Sequence, residues 1–502
     1  MGVAWSRPLF FQNEQNLMAM ITLAELFPYA HLVYNIMAVL YFLMVLAVIV
    51  VVLGENRNPV KSIAWVLVLV LLPVLGLVIY LFFGRSLKGT KLISRSDLRE
   101  LRRMNDFDEN VTLDPDVSED SHQLISLVNK LTEPHLFVGN DIDIFTTGQE
   151  KFEALLEDIR QAREYIHVQY FIIEGDEVGS RLIDLLMDKA REGVQVRVLY
   201  DYVGSFYTRS RVLRKMRETG IDVHPFLELT LTQFAFRLNW RNHRKIVVID
   251  GNVGYVGGMN IANRYVTGDK NWLAWRDTHL RISGEAVAAL EYSFAIDWNY
   301  TTRQLLTLPT MRYADPPLHQ DNIVQMVSSG PAGRWNNISF VFFKAITLAK
   351  RNIYIQTPYY LPSEALLKAL QSAALAGVDV RLMIPRHPDS TMLRLATASY
   401  IKESMLSGIK IYLYEPTVMH AKVVIVDDEF VTTGSTNFDF RSFEHNFEFN
   451  ALIYSQDFNS KMKAIFGTDM QQCTRLSMGK WKQRPLIQKA LESVVRLISP
   501  IL

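Results

Sequence analysis

A single cysteine, Cys473, occurs in the 502 residues. That scarcity excludes an intramolecular disulfide and a metal site built from several thiols, and it fits a reducing compartment. An excess of charge of either sign is missing as well, since 53 Lys and Arg face 52 Asp and Glu. A protein that works by gripping nucleic-acid phosphates is normally strongly basic, so this balance argues against a nuclease and against a nucleic-acid partner. Charge is also absent from two long apolar runs, Leu32–Leu53 and Ile63–Phe83. Each is long enough to cross a hydrocarbon core of about 30 Å. Hydrophobic residues make up 49% of the chain, which is high for a protein without contact to lipid.

We read these runs as a transmembrane helical hairpin at about 32–53 and 63–83. A secretory signal peptide would have a shorter apolar core followed by a small-residue cleavage site. Pro73 lies inside the second run, where it predicts a kink of the kind membrane helices tolerate. Arg57 and Lys61 lie in the connector, whereas Arg85, Lys88, Lys91 and Arg95 follow the second run. The larger cluster predicts that the C-terminal side faces the cytoplasm. Ahead of the hairpin, in residues 1–31, the amphipathic stretch Leu17–Phe27 fits a helix on the membrane surface and a solvated helix about equally.

Residues 85–135 are charged and read as a juxtamembrane linker. Beyond them, short β-branched runs alternate with amphipathic stretches, the pattern of an α/β protein. A larger repeat is visible. Helix, apolar strand, helix and then Gly193-Val-Gln-Val-Arg197 recur as helix, strand, helix and Gly377-Val-Asp-Val-Arg381. Two α/β halves, 136–315 and 316–502, packed about a pseudo-twofold axis follow from this repeat, with shared chemistry at their seam.

Each half carries the same constellation at identical spacing. The first has His243, Lys245, Asp250, Gly257-Gly258 and Asn260; the second has His420, Lys422, Asp427, Gly434-Ser435 and Asn437. Ile246–Ile249 and Val423–Val426 are β-formers, so histidine and lysine two positions apart are expected on one side of an extended strand. Two imidazoles, two ammonium groups and the donors Asn260, Asn437 and Ser435 would together bind a phosphodiester. One imidazole can attack phosphorus while the other moves the proton of the leaving or entering alcohol. Lysines and amides around the nonbridging oxygens supply the charge stabilisation that a metal supplies elsewhere, so neither metal nor cofactor is expected. Histidines in such roles need an orienting carboxylate. Asp277 in the run Arg276-Asp-Thr-His and Glu448 in the run Asn446-Phe-Glu-Phe are the candidates. Tyr359 and Tyr360 fit either a lipid pocket or the core. The C-terminal stretch Leu486–Ile498 is amphipathic, with membrane contact and packing on the domain both open.

The duplicated HxKx4Dx6G[GS]xN pattern resembles the signature of the phospholipase D superfamily, and within it the chain is similar to the bacterial cardiolipin synthases from about residue 55 to the end. Further support lies in Glu55-Asn-Arg-Asn-Pro59, Leu238-Asn-Trp-Arg-Asn-His243, Gln356-Thr-Pro-Tyr-Tyr360 and Leu497-Ile-Ser-Pro-Ile-Leu502. The resemblance implies two phospholipase D-like halves with mixed sheets behind the hairpin, in a bacterial inner-membrane protein. It implies that His243 is the nucleophile and His420 the general acid and base, an assignment the residues alone leave open. Asp250 and Asp427 belong to the catalytic set by position, but the resemblance gives them a structural role. The implied reaction joins two phosphatidylglycerol molecules into cardiolipin and glycerol through a phosphohistidine. Hydrolysis, or another phospholipid donor, is the alternative. Asn263-Arg264 and His445 depart from the family pattern at places that bear on lipid preference rather than on catalysis.

Overall fold

The computed structural model describes residues 10–54, 59–72, 74–84, 88–89, 91–104, 117–132, 136–208, 210–228, 239–268, 273–306 and 322–499. It separates into two compact units, Met1–Arg85 and Ser86–Leu502. Arg57, Pro73 and Arg85, on which part of the charge count and the kink rest, lie outside the described residues, as does the boundary at 315/316.

In the first unit one helix runs without a break over Phe10–Gly54, so the stretch Leu17–Phe27 and the first apolar run share one helix. Its part Tyr29–Gly54 is, among the described residues, the one helix long and apolar enough to cross a membrane. The second apolar run is interrupted: Pro59–Leu71 and Leu75–Ile79 are α-helical and Tyr80–Gly84 is a π-turn. Val74 sits at the break with φ 64°. Its N–H donates to the Tyr41 hydroxyl of the long helix at 2.9 Å. An apolar surrounding offers no water for a freed amide, so a neighbouring helix has to supply the acceptor. Val45 and Val52 pack with Leu69 and Tyr80 beside this contact.

The second unit contributes β1 (Phe137–Phe145), β2 (Tyr165–Tyr170), β3 (Gln195–Asp201), β4 (Asp222–Phe226), β5 (Arg241–Asn242), β6 (Ile246–Ile249), β7 (Val253–Gly257) and β8 (His279–Gly284) from its first half. The second half adds β9 (Asn322–Ser329), β10 (Asn352–Gln356), β11 (Tyr360–Leu361), β12 (Asp379–Pro385), β13 (Lys410–Tyr414), β14 (Val423–Val426), β15 (Phe430–Gly434), β16 (Phe438–Asp439), β17 (Asn446–Ile453) and β18 (Cys473–Arg475). The main sheet runs β18-β13-β12-β10-β14-β15-β17-β9-β1-β8-β7-β6-β2-β3-β4. It is mixed: β2, β3 and β4 pair in parallel, as do β10, β12 and β13, while β2 to β6 to β7 to β8 and β10 to β14 to β15 to β17 are antiparallel. The halves meet where β1 pairs antiparallel with β9.

Burial on both faces explains the unbroken apolar runs of β6 and β14, in which every residue is buried. Helices cover the sheet, and their starts are set by Thr147, Asp176, Ser363 and Ser390. In each the side-chain oxygen accepts the N–H three residues on. The stretch read as a linker is partly folded. Glu119–Leu131 is a helix whose Leu124, Ile125 and Val128 join the core of the second half, and Leu101 of the helix Arg95–Met104 packs with Phe294 and Trp298. Its high charge resides on the outer faces of these helices and masks the i, i+3, i+4 apolar spacing.

Candidate active site

His243 and Lys245 do not lie on a strand. They occupy a short extended link between β5 and β6, and His420 and Lys422 occupy the equivalent link before β14. The same-side relation of histidine and lysine is retained nonetheless. Lys245 Nζ donates to the backbone carbonyl of His243 at 2.5 Å, and Lys422 Nζ lies 2.6 Å from Nδ1 of His420.

Each link is held by the opposite half. β5 pairs in parallel with β17, with Asn446 opposite Arg241 and Phe447 opposite Asn242, and the His243 N–H donates to the Phe447 carbonyl at 2.9 Å. In the reciprocal arrangement the Arg276 N–H donates to the Val418 carbonyl at 3.0 Å and the His420 N–H to the Arg276 carbonyl at 2.7 Å. These crossed pairings bring each imidazole to a carboxylate from the other half. His243 Nδ1 is 3.1 Å from Glu448, and His420 Nδ1 is 2.6 Å from Asp277. An Nδ1–H donated to Glu448 leaves the His243 lone pair on Nε2, the form a nucleophile requires, whereas Nδ1 of His420 lies equally close to Asp277 and to the Lys422 ammonium.

The two carboxylates are themselves supported differently. Glu448 accepts from the Ser435 hydroxyl and, at 3.1 Å, from Asn446 Nδ2. Gly258 occupies the position in the first half that Ser435 has in the second, and a Cβ there would lie 2.1 Å from Asp277 Oδ1. The shorter aspartate thus goes with the residue that has no side chain, and the longer glutamate with a hydroxyl. Ser435 was expected among the phosphate donors. Its hydroxyl donates to Glu448 and accepts the Phe449 N–H at 3.0 Å. Asn260 donates to the Tyr265 hydroxyl at 3.0 Å and accepts from the Ile172 N–H, leaving one amide hydrogen. Asn437 is buried with its Oδ1 unpartnered.

Asp250 and Asp427, counted with the catalytic set, sit beyond the far ends of β6 and β14. Asp250 accepts the backbone N–H groups of Arg163, Glu164 and Tyr165 at 2.7, 2.8 and 2.8 Å. Asp427 accepts those of Lys350, Arg351 and Asn352, each at 2.8 Å. Both oxygens of each carboxylate are thus engaged by backbone amides that lead into β2 or β10.

The spacing pattern did not reveal the aromatic walls. Phe171 stands edge-on to His243 with ring centres 5.0 Å apart, while Tyr265 and Trp275 flank His420 at 5.7 and 5.2 Å. Tyr265 follows Asn260 by five residues, and in the second half the same offset from Asn437 is Ser442, so no repeat flags it. Tyr360 belongs to the core, its hydroxyl 3.1 Å from Ser404, whereas the Tyr359 hydroxyl donates to Asp389 at 2.8 Å.

Burial governs the electrostatics. Desolvation pulls His243 below the usual histidine value, and desolvation with the nearby Lys422 charge brings His420 down to about 4. Desolvation likewise brings Lys245 down to about 7 and Lys422 to about 8. Burial would push both carboxylates up. Lys422 and His420 more than offset this for Asp277, and His243, Lys245 and Ser435 do so for Glu448, leaving both low. Lys245 also feels Asp277, and Lys422 feels Glu448, so the two constellations act as one electrostatic unit.

A family model described as "Cardiolipin synthase, PLD-like domain" matches residues 155–298 and 342–470, and one described as "Phospholipase_D-nuclease N-terminal" matches 42–85. The major cardiolipin synthase of Bacillus subtilis (strain 168) is 39% identical over 476 residues, covering 93% of this chain and 99% of its own length. A cardiolipin synthase of Listeria monocytogenes is 39% identical over 481 residues with the same coverage. One from Geobacillus sp. (strain WCH70) is 38% identical over 89% of this chain and 90% of its own. The crystal structure of a phosphatidylserine synthase from Haemophilus influenzae Rd KW20 matches with a TM-score of 0.59 and 17% identity over 76% of this chain and 100% of that one, which shows a shared fold. With both motif-bearing segments inside the matched domain and this identity sustained over most of its length, the chain belongs to the cardiolipin synthase family of phospholipase D-like proteins.

Proposed function

We propose that this enzyme transfers a phosphatidyl group from one phosphatidylglycerol to another, and that His243 carries it. The observation behind the proposal is the pair of crossed histidine–carboxylate contacts beside two buried lysines. With Nδ1 tied to Glu448, His243 offers Nε2 to phosphorus. The new P–N bond forms as the bond from phosphorus to the headgroup glycerol oxygen breaks, and His420 protonates the departing alkoxide. His420 then takes the proton from a hydroxyl of the second phosphatidylglycerol, whose oxygen attacks phosphorus and releases His243. Cardiolipin and glycerol are the products.

Charge balance supports the division of labour. Two lysines with their protons neutralise Asp277 and Glu448, so an arriving phosphodiester adds one negative charge to a dry site. That charge favours a proton on His420, which is deprotonated in the empty site. The anionic substrate thereby helps to charge its own general acid. Lys245, Lys422, Asn260 and Asn437 are assigned to the nonbridging oxygens, Asp277 and Glu448 to orienting the histidines.

The order β4-β3-β2-β6-β7-β8-β1 followed by β9-β17-β15-β14-β10-β12-β13 supports two halves related by a pseudo-twofold axis. A two-span hairpin with the catalytic unit in the cytoplasm is supported by the Tyr41 contact to the break at Val74 and by the basic residues Lys88, Lys91 and Arg95 that follow. The test is the product profile of the full-length protein in phosphatidylglycerol vesicles with chelator present. Cardiolipin and glycerol in equal amounts are expected, and neither from His243→Ala or His420→Ala. Phosphatidate as the main product would make the enzyme a hydrolase, and loss of turnover with chelator would require a metal.

A further inference from the structure

The C-terminal helix Leu486–Ile498 is turned against the usual rule for a surface helix. Its acidic residue Glu492 is only 4% exposed, while Leu486, Ile487 and Leu497 are 82%, 75% and 81% exposed. Polar contacts fasten the inner side. Arg484 Nη1 and Gln488 Nε2 donate to Glu492 at 2.5 and 3.0 Å. Arg496 pairs with Glu403 at 2.5 Å and donates to the Ser399 carbonyl, and Ser499 lies 3.0 Å from the Tyr400 hydroxyl. Leu491 and Val494 complete the outer face, also exposed. Positions 486, 487, 491, 494 and 497 recur at helical spacing, so they form one continuous apolar stripe. Stripes of this kind on a folded surface mark a partner.

The charges around it select the partner. Glu492 is the sole acidic residue between Met478 and Ser499. Lys480, Lys482 and Lys489 stand at the start of the stripe, with Lys489 Nζ also donating to the Lys482 carbonyl. Arg484 stacks on Trp481, which packs against the core of the second half and fixes the approach to the helix. Apolar residues beside cations without an exposed acid complement an anionic bilayer surface. A second copy of the same helix would bring the same cations without an exposed acid of this segment to meet them. We propose that Leu486–Ile498 is a membrane-docking helix that lies in the headgroup region of an anionic phospholipid bilayer, with Leu486, Ile487, Leu491, Val494 and Leu497 inserted. This goes beyond the transfer reaction and holds whichever phospholipid is the donor.

The experiment uses the full-length protein in vesicles, with Cys473→Ser as background and Leu491→Cys carrying an environment-sensitive fluorophore; Glu218→Cys, exposed and outside the helix, is the control. In vesicles of equal phosphatidylglycerol and phosphatidylcholine, lipids brominated on their acyl chains should quench the Leu491 label severalfold more than the control, and aqueous iodide severalfold less. The triple variant Lys480→Glu, Lys482→Glu, Lys489→Glu should reduce that difference without altering the circular dichroism spectrum. Equal iodide quenching at both positions would overturn the proposal. Disulfide-linked dimers through unlabelled Leu491→Cys, with no effect of brominated lipid on the label, would replace the bilayer by a second copy. Identical results in pure phosphatidylcholine would remove the anionic preference. Because the readout is depth and not turnover, a wrong donor assignment leaves the result unaffected.

Discussion

Lys245 and Lys422 lose their water to the same packing that aligns the histidines, and that desolvation brings their pKa values down to about 7 and about 8. A lysine with a lowered value carries its charge below that value and loses it as pH rises through it. In the free enzyme kcat/KM should therefore fall more steeply above about pH 7 as Lys245 loses its charge, far below the 10.5 of an unperturbed lysine, on top of the decline that deprotonation of His420 imposes from about pH 4 upward. His243, held below 6.5 chiefly by burial, is unprotonated through the same window, so its protonation sets the acid limb. The limb in kcat should lie at higher pH, since a bound phosphodiester anion restores the ammonium form. Initial rates between about pH 5 and pH 10 with chelator decide this, and a kcat/KM that stays flat above about pH 9 would contradict it. At this scale much was legible. Histidine, lysine and asparagine were readable because the chemistry demands those types at fixed offsets, and the repeat supplies an internal control. What Ser435 does was not readable, because whether a hydroxyl faces a phosphate or a carboxylate depends on residue 448, thirteen positions away on another strand. Nor was the exchange of carboxylates between halves. It rests on pairings across 205 and 143 positions for which no local pattern exists.

Among elements, the turns after β6 and β14 carry an acid repeated in both motifs and bonded to backbone amides. Asp250 and Asp427 both adopt φ near +50°, at 50° and 49°, a region in which aspartate and asparagine are the best tolerated of residues with side chains. Each carboxylate then gathers three amides at the start of β2 or β10, tying that strand to β6 or β14. Asn at either position keeps the backbone shape but exchanges one acceptor for a donor that faces an N–H. Asp250→Asn and Asp427→Asn should each lower stability by about 2 kcal/mol. The kcat of the folded fraction should stay near wild type, as checked by thermal unfolding beside rates normalised to folded protein. A large loss of kcat at unchanged stability would return these aspartates to the chemistry. The membrane-facing elements were legible in part. Absence of charge marked both apolar runs, yet it carries no information on continuity, and only the first is a single long helix.

For the whole molecule, the crossed contacts mean that neither half holds a working histidine alone. His243 depends on Glu448, and His420 on Asp277, while β1 and β9 join the halves in one sheet within the same chain. A functional centre therefore needs both motifs, and here one chain supplies both. Mixing purified His243→Ala with His420→Ala protein tests whether that holds at work in the membrane. Each variant lacks one imidazole that the other possesses, but with the halves joined inside each chain no site in the mixture contains both. The mixture should remain as inactive as either variant in phosphatidylglycerol vesicles. Halves exchanged between two chains would give a different result: one of the two sites in each mixed pair would regain both histidines, and activity would return after co-refolding or co-expression. Cardiolipin formation restored by co-refolding or co-expression would mean that β1 pairs with the β9 of another copy, and the site would then belong to a dimer.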